Sequence, residues 1–245
     1  MEITERELRR AVQEVDDLHH DGMTTMTTDI AELHAGEGRR IMDSSRRRFL
    51  AGAGIAGAVT VGSAVIPIGS LWSPAFAQTS SDKGIASFAE SVELAAVAAY
   101  TAAAQTGKVI GAALQAAETF AAHHKAHAAA FGAYAGDAPR AQPNPGLVAA
   151  VAPQIKAAPD QTTLLNLAYG LENAAASTYL FAIGALSDPA ALKLTASILP
   201  VESQHATVLG HVLGKSLGDT GDFIPAFLNT SSAFSPSKYP IASGS

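Results

Sequence analysis

The sequence contains no cysteine and little charge, with only 16% of its 245 residues being Asp, Glu, Lys or Arg. The absence of cysteine excludes a disulfide scaffold, an iron–sulfur cluster and a cysteine-ligated zinc site. Basic residues are also scarce. The formal net charge is −6, and eight of the nine arginines lie in residues 1–48. Nothing therefore predicts a nucleic-acid partner. The hydrophobic content of 48% excludes a disordered chain and is typical of one or two folded domains.

Charged residues are scarcest after residue 77. Residues 78–245 contain 41 alanines but only 8 lysines and arginines and 11 aspartates and glutamates. Alanine is the strongest helix former, so this composition predicts a mostly helical domain. An ionised side chain inside such an apolar domain is costly unless it is paired or bound to a metal. Each remaining charge therefore needs a specific explanation.

Residues 42–77 contain the three parts of an export signal. Arginines at 46–48 precede an apolar stretch over residues 50–72, and Ala75-Phe76-Ala77 supplies an A-x-A cleavage site. The paired arginines followed by Phe-Leu resemble the twin-arginine type. This pattern predicts recognition by the export machinery, cleavage after Ala77, and a location in the periplasm, the cell envelope or the medium. The apolar stretch is long enough to span a bilayer, so an uncleaved, membrane-anchored form is the alternative.

The export signal divides the chain into four parts. Residues 1–41 form an acidic extension that is either cytoplasmic or the product of a misplaced start codon. A short helix is expected there over residues 3–20, and no site role is assigned to its histidines. Residues 78–217 form the helical domain. Residues 218–245, rich in serine and proline, are an irregular tail.

Four long segments of the helical domain have helical composition. They are Gly84–Gln105, Val109–Tyr134, Gln161–Leu186 and Ala190–Ser216, the last opened by Asp188-Pro189 as N-cap and first helical residue. Short turns within each pair predict two antiparallel hairpins. The proline-rich segment between the hairpins predicts a long crossover with a short helix at Gly146–Ala152. We therefore predict an all-α four-helix bundle.

The two hairpins resemble each other in their polar residues. Four positions recur 78 or 79 residues later: Glu93 with Glu172, Tyr100 with Tyr179, His124 with Glu202, and His127 with His205. Chance matching in so alanine-rich a chain would align alanines rather than these residues. The spacing therefore indicates a duplicated helical hairpin.

The recurring residues point to a metal site. Glu202 and His205 are three residues apart, so both side chains lie on one helix face and can reach a common ion. Glu172 then needs only to face them from the neighbouring helix. The domain has few cations that could pair with buried glutamates, so a metal ion is the simplest explanation. The alternative is a set of buried polar pairs. Tyr100 and Tyr179 are either core aromatics with a hydroxyl partner or functional residues, which donate a hydrogen bond to a ligand carboxylate or act as redox-active phenols.

One glutamate on each of two helices and a Glu-x-x-His pair on each of the other two is the di-metal pattern of ferritin-like proteins. The chain resembles that superfamily over about residues 84–216. The resemblance implies a ferritin-like bundle with one or two ions, iron first and manganese or zinc as alternatives, that oxidises ferrous ion or uses oxygen or peroxide. Metal ions and copies of the chain itself are the implied partners. The implied ligands are Glu93, His124, His127, Glu172, Glu202 and His205.

His124 departs from this pattern, which has glutamate at the corresponding position. Three carboxylates and three imidazoles discriminate less between iron, zinc, copper and manganese than four carboxylates and two imidazoles do. A mononuclear or zinc site is then an alternative, unless Glu90 supplies the missing carboxylate. His123 is expected to be a solvated neighbour. The function classes left open are a metal-binding oxidase or ferroxidase, a metal-free structural or stress-protection bundle, and a membrane-anchored accessory subunit.

Overall fold

The computed structural model describes residues 3–35, 59–61, 64–66, 81–136 and 142–215, together with Phe234 and Tyr239. Six helices lie within these ranges: α1 Glu5–Ala35, α2 Asp82–Gln105, α3 Gly111–Ala135, α4 Pro145–Ala157, α5 Gln161–Ala185 and α6 Pro189–Val212. Two three-residue strands, β1 Val59–Val61 and β2 Ala64–Ile66, pair antiparallel.

The core of the molecule is the predicted all-α bundle. Helix α2 packs along α3, and α5 packs along α6, so the two hairpins and the crossover that carries α4 are confirmed. Helix α4 extends to Ala157, beyond its predicted end. Helix α6 ends at Val212 instead of Ser216, because Gly214 adopts a φ of 68° and the Lys215 amide turns back to the Gly210 carbonyl. A left-handed glycine of this kind terminates a helix.

Helix α1 is part of the bundle. It runs for 31 residues, much longer than the predicted 3–20, and packs against α3 and α6. Leu8, Val12 and Val15 are buried in the same cluster as apolar residues of α3, and Met26 is buried further along. The interpretation of residues 1–41 as a separate extension did not anticipate this packing.

Helix α1 also completes the start of α3. No side chain of α3 caps its N-terminus, whereas the Glu5 carboxylate accepts a hydrogen bond from the Ala112 amide at 2.9 Å. Gly111 has a φ of 62°, and a β-carbon there would lie 2.5 Å from Glu5 Oε1. The backbone conformation therefore favours glycine at this position, and a larger residue would displace the Glu5 carboxylate. A carboxylate at a helix N-terminus is stabilising, so α1 and α3 are joined by charge as well as by apolar packing.

The opposite side of the bundle is covered by α4, which packs against α2 and α5. The two described residues of the tail, Phe234 and Tyr239, are buried on this side, and the Phe234 amide donates to Thr178 Oγ1 at 2.6 Å. The hairpins are therefore enclosed between α1 on one side and α4 on the other.

The predicted export signal over residues 42–77 lies outside the described residues except for β1 and β2. Export and cleavage after Ala77 therefore stay predictions. Within the ranges that the structure describes, no helix combines the length and the apolar character needed to cross a membrane.

Candidate metal centre

The bundle brings all six predicted ligands together in its interior. None of the six residues is more than 1% exposed. They come from all four helices of the two hairpins: Glu93 from α2, His124 and His127 from α3, Glu172 from α5, and Glu202 and His205 from α6.

The six side chains form two overlapping groups of four. Glu93 and His127 belong to the first group, Glu172 and His205 belong to the second, and His124 and Glu202 belong to both. Within each group, one ligand atom from every residue lies within 4.8 Å of the others. The centre therefore provides two adjacent positions, each with four nitrogen or oxygen donors, that share two residues.

Glu202 lies between the two groups with one oxygen toward each. Its Oε1 is 2.9 Å from Nδ1 of His127, and its Oε2 is 3.2 Å from Nδ1 of His205. These contacts are close, yet their angles are not those of hydrogen bonds. Neither oxygen of Glu202 and neither ring nitrogen of His127 has a hydrogen-bond partner. Buried polar atoms are rarely left in this state, and a bound ion is one of the explanations for unsatisfied groups of this kind. The donor set therefore fits a metal ion.

His124 has a different environment, because both of its ring nitrogens are hydrogen-bonded. Nδ1 lies 2.7 Å from Glu93 Oε2, and Nε2 lies 3.1 Å from Glu172 Oε1. The imidazole therefore stands between the two single carboxylates and presents one nitrogen to each. This is the position at which the ferritin-like pattern has a carboxylate.

Each of the two tyrosines of the repeat donates a hydrogen bond to one of the single carboxylates. Tyr100 donates its hydroxyl proton to Glu172 Oε1, and Tyr179 donates to Glu93 Oε1. Each tyrosine thus binds the glutamate of the other half, and both tyrosines are also buried in the hydrophobic core. Burial, together with the neighbouring carboxylates, raises the pKa of both phenols. They therefore stay protonated and act as donors.

Opposite charges compensate each other within the cluster. Burial opposes ionisation of Glu93, but the imidazoles of His124 and His127 outweigh it and lower its pKa to about 2. Burial also opposes protonation of His127, but Glu202 and Glu93 raise its pKa to about 9. The same carboxylate–imidazole attraction raises the pKa of His124 and His205 and lowers that of Glu172. Without a metal, imidazolium groups hold Glu93 and Glu172 ionised.

Three residues near the centre were not predicted to contribute to it. His123 was predicted to be solvated, which is wrong: the residue is 2% exposed, its Nδ1 is 2.9 Å from Nε2 of His205, and its Nε2 is 2.9 Å from Asp16 Oδ1. His19 of α1 stacks on His123 with ring centroids 3.8 Å apart. Burial lowers the pKa of His19 to about 3 and that of His123 to about 4, so both rings are neutral near pH 7.

The sequence does contain a signal for α1. Its buried residues lie at helical spacing and form a stripe that includes a histidine: Leu8, Val12, Val15, His19 and Met26. This stripe predicts a packed helix instead of a free extension.

Glu90, the alternative source of the missing carboxylate, is not in the centre. Glu90 lies over Gly132 of α3, where a β-carbon would meet its Oε1 at 2.7 Å, and it belongs to neither group. Glu118 is exposed on α3. Among the residues with described side chains, the two groups therefore contain three carboxylates and three imidazoles.

A mostly apolar cavity adjoins the centre on the α4 side. Glu93, Tyr100, His124 and Glu172 line it together with Phe234 and apolar residues of α2, α4 and α5. Its volume of about 30 Å³ is sufficient for roughly two water molecules. The centre is thus closed by α1 on one side and borders a small cavity on the other.

Comparison with known proteins identifies the family. The model of the ferritin-like domain matches residues 81–215, which is more than half of the chain. The chain belongs to this ferritin-like family. No curated protein and no solved structure matches the chain. The ferritin-like domain contains all six residues of the centre, whereas Asp16 and His19 of α1 lie outside it.

Proposed function

We propose that this ferritin-like protein binds one or two transition-metal ions at its buried centre, with iron as the first expectation and manganese or zinc as alternatives. Glu202 carries the proposal. Its carboxylate is completely buried, belongs to both four-residue groups and has no hydrogen-bond partner at either oxygen. Imidazole and carboxylate together suit all three metals, and the donor set does not by itself select one of them.

The charge of the centre supports this proposal. Three ionised carboxylates and one divalent ion have a total charge of −1. With two divalent ions the total charge is +1. In both cases the imidazoles bind as neutral ligands, so metal binding displaces the protons that they carry in the metal-free protein. The centre thus exchanges buried protons for buried metal with little change in total charge.

We further propose that the centre oxidises ferrous ion or uses oxygen or peroxide. A bound redox-active ion would supply the electrons for such a reaction, and oxygen or peroxide would accept them. The chain's own residues hold the donors in place, with Tyr100 and Tyr179 orienting Glu172 and Glu93 by hydrogen bonds. The apolar cavity beside His124 has room for a small oxidant, and the packing of α1 and α4 excludes bulk water from the donors.

An exported location is a separate proposal that depends on residues 42–77. Twin-arginine export carries folded proteins, which suits a domain that is loaded with metal before it leaves the cytoplasm. Cleavage after Ala77 would separate α1 from the rest of the chain, although α1 packs against α3 and α6. N-terminal sequencing of the exported protein distinguishes a cleaved form from an anchored one, and it also shows whether α1 stays with the bundle.

The metal proposal is tested with the full chain purified from cells supplied with iron, manganese and zinc. We expect near-stoichiometric metal by elemental analysis and a melting temperature that falls after dialysis against a chelator. Glu202→Gln is expected to lose most of the metal, whereas Glu118→Gln, which removes an exposed carboxylate from α3, is the matched control. A wild-type protein without any of the three metals, and with a melting temperature insensitive to the chelator, would falsify the proposal.

The metal-free bundle is the second candidate, and His124 is the observation that favours it. Its imidazolium can donate to Glu93 and Glu172 at once, so these three side chains satisfy one another without an ion. A structural or stress-protection bundle predicts that chelators leave the stability unchanged. The dialysis experiment therefore separates the two candidates.

A further inference from the structure

A chain of hydrogen bonds connects the surface of α1 with the centre. Asp16 Oδ1 lies 2.9 Å from His123 Nε2, and His123 Nδ1 lies 2.9 Å from His205 Nε2. His205 Nδ1 in turn faces Glu172 Oε2 at 3.3 Å and Glu202 Oε2 at 3.2 Å. The Asp16 side chain is 49% exposed, whereas His123 and His205 are buried. The hydrogen bonds therefore connect solvent-exposed Asp16 with the predicted ligand His205 through the imidazole of His123.

Metal binding would fix which atom donates and which accepts in each of these hydrogen bonds. If His205 binds an ion through Nδ1 as a neutral ring, its proton is on Nε2, and that nitrogen donates to Nδ1 of His123. A neutral His123 then carries its proton on Nε2 and donates to the Asp16 carboxylate. Every nitrogen and oxygen in the chain is satisfied by this arrangement. A ligating histidine commonly donates its second ring proton to such a partner, which fixes the tautomer and strengthens the ligand.

We propose that Asp16 is a positioning residue of the metal centre, acting on His205 through His123. The inference rests on the proposed metal binding. It assigns part of the centre to α1, a helix that lies outside the ferritin-like domain. The carboxylate holds the His123 ring in the orientation that accepts from His205. Its negative charge also increases the electron density that His205 offers to the ion.

The two ion positions differ in the hydrogen bonds that support their histidine ligands. His205 belongs only to the group that contains Glu172, while His127 belongs only to the group that contains Glu93. Neither ring nitrogen of His127 has a hydrogen-bond partner within the described part of the chain. Asp16 therefore supports one position and not the other, which gives the inference a specific experimental signature.

Other contacts hold α1 in place without Asp16. Glu5 accepts from the Ala112 amide, and Asp29 forms an ion pair with Lys193 of α6 at 2.8 Å. Leu8 and Val12 are buried against α3, and His19 stacks on the His123 ring. Replacing the Asp16 carboxylate by an amide therefore leaves the attachment of the helix intact.

The test is a Co²⁺ titration of the metal-free full chain, followed by equilibrium dialysis and by the visible absorption of the bound ion. The variants are Asp16→Asn, Asp16→Glu and, as matched control, Asp17→Asn, which removes the same charge from the next residue. Asp17 accepts a hydrogen bond from Gln13 of α1. We expect Asp16→Asn to weaken one Co²⁺ site by roughly 10-fold or more and to change its absorption. Asp16→Glu is expected to retain more affinity, and Asp17→Asn to match the wild type.

Three results would overturn the inference. If Asp16→Asn titrates like the wild type while the wild type binds Co²⁺, the positioning role is wrong and metal binding stands. If Asp16→Asn lowers the metal-free unfolding free energy and weakens all sites equally, Asp16 serves packing alone. If the wild type binds no Co²⁺, the inference falls together with the proposed metal binding.

Discussion

Glu202→Gln tests the electrostatics of the centre directly, because it removes one charge and keeps the side-chain shape. The Glu202 carboxylate is 0% exposed and approaches His127 Nδ1 at 2.9 Å and His205 Nδ1 at 3.2 Å. Among the charges that favour the protonated form of His127, Glu202 is the strongest, followed by Glu93. In the variant, the His127 imidazolium therefore loses its principal partner and becomes easier to deprotonate.

The expected loss of stability follows from the pKa of His127. Folding without metal raises this pKa from 6.5 to about 9. The difference corresponds to about 3 kcal/mol of stabilisation, and the Glu202 charge supplies the largest attractive part of it. The folded pKa lies above the unfolded one, so this contribution is complete below pH 6.5 and disappears as the pH rises through 9. We expect metal-free Glu202→Gln to unfold with about 1–3 kcal/mol less free energy at pH 6, and the difference to shrink at pH 10.

Urea denaturation of chelator-dialysed protein, followed by circular dichroism at both pH values, measures this difference. Typical domains have 5–15 kcal/mol of stability, so the variant is expected to stay folded. Glu118→Gln should match the wild type at both pH values because Glu118 is exposed. Equal stability of Glu202→Gln and wild type at pH 6 would refute the reasoning. A difference that is as large at pH 10 as at pH 6 would refute it as well, since the His127 imidazolium would then not be its source.

Three further predictions concern the same centre. His124→Glu gives the centre four carboxylates and two imidazoles, so we expect its melting temperature without metal to be lower than that of the wild type. Adding Mn²⁺ should raise the melting temperature of the variant by more than that of the wild type. Equal increases in the two proteins would contradict this. The raised pKa of His127 and of His205 makes protons compete with metal, so affinity should fall on acidification, and calorimetry in buffers of different ionisation enthalpy should detect proton release. Tyr179→Phe removes the hydroxyl that donates to Glu93 and should lower the unfolding free energy by about 1.5–3 kcal/mol, whereas an unchanged value would show that this bond contributes nothing.

Much of the fold and of the centre was predictable because the domain is so poor in charge. Only five glutamates occur in residues 78–245, and three of them fall at the positions of the repeat. Helix ends were predictable where a capping side chain marks them, as Asp160 and Asp188 do by accepting amide hydrogen bonds at the starts of α5 and α6. Local sequence carries this information because capping and periodicity act within a few residues.

The contacts that were missed are all distant in sequence. Asp16 meets His123 across 107 positions, and Glu5 reaches Ala112 across the same separation. A helical stripe such as that of α1 shows which face is buried, but not the surface against which it is buried. His123 was misassigned for the same reason, since its partners, Asp16 of α1 and His205 of α6, are both distant in sequence.

The sequence by itself determined the all-α class of the fold, and its recurring polar positions indicated the six residues that the structure brings together. Spacing along a helix and the cost of burying charge indicated a site, and the resemblance to ferritin-like proteins implied the complete set of six. Only the tertiary structure decided that His124 stands between Glu93 and Glu172, that each tyrosine binds the glutamate of the other half, and that α1 closes the centre with Asp16. These features depend on how separate helices approach one another, and the free energy of that approach comes from packing across the whole bundle.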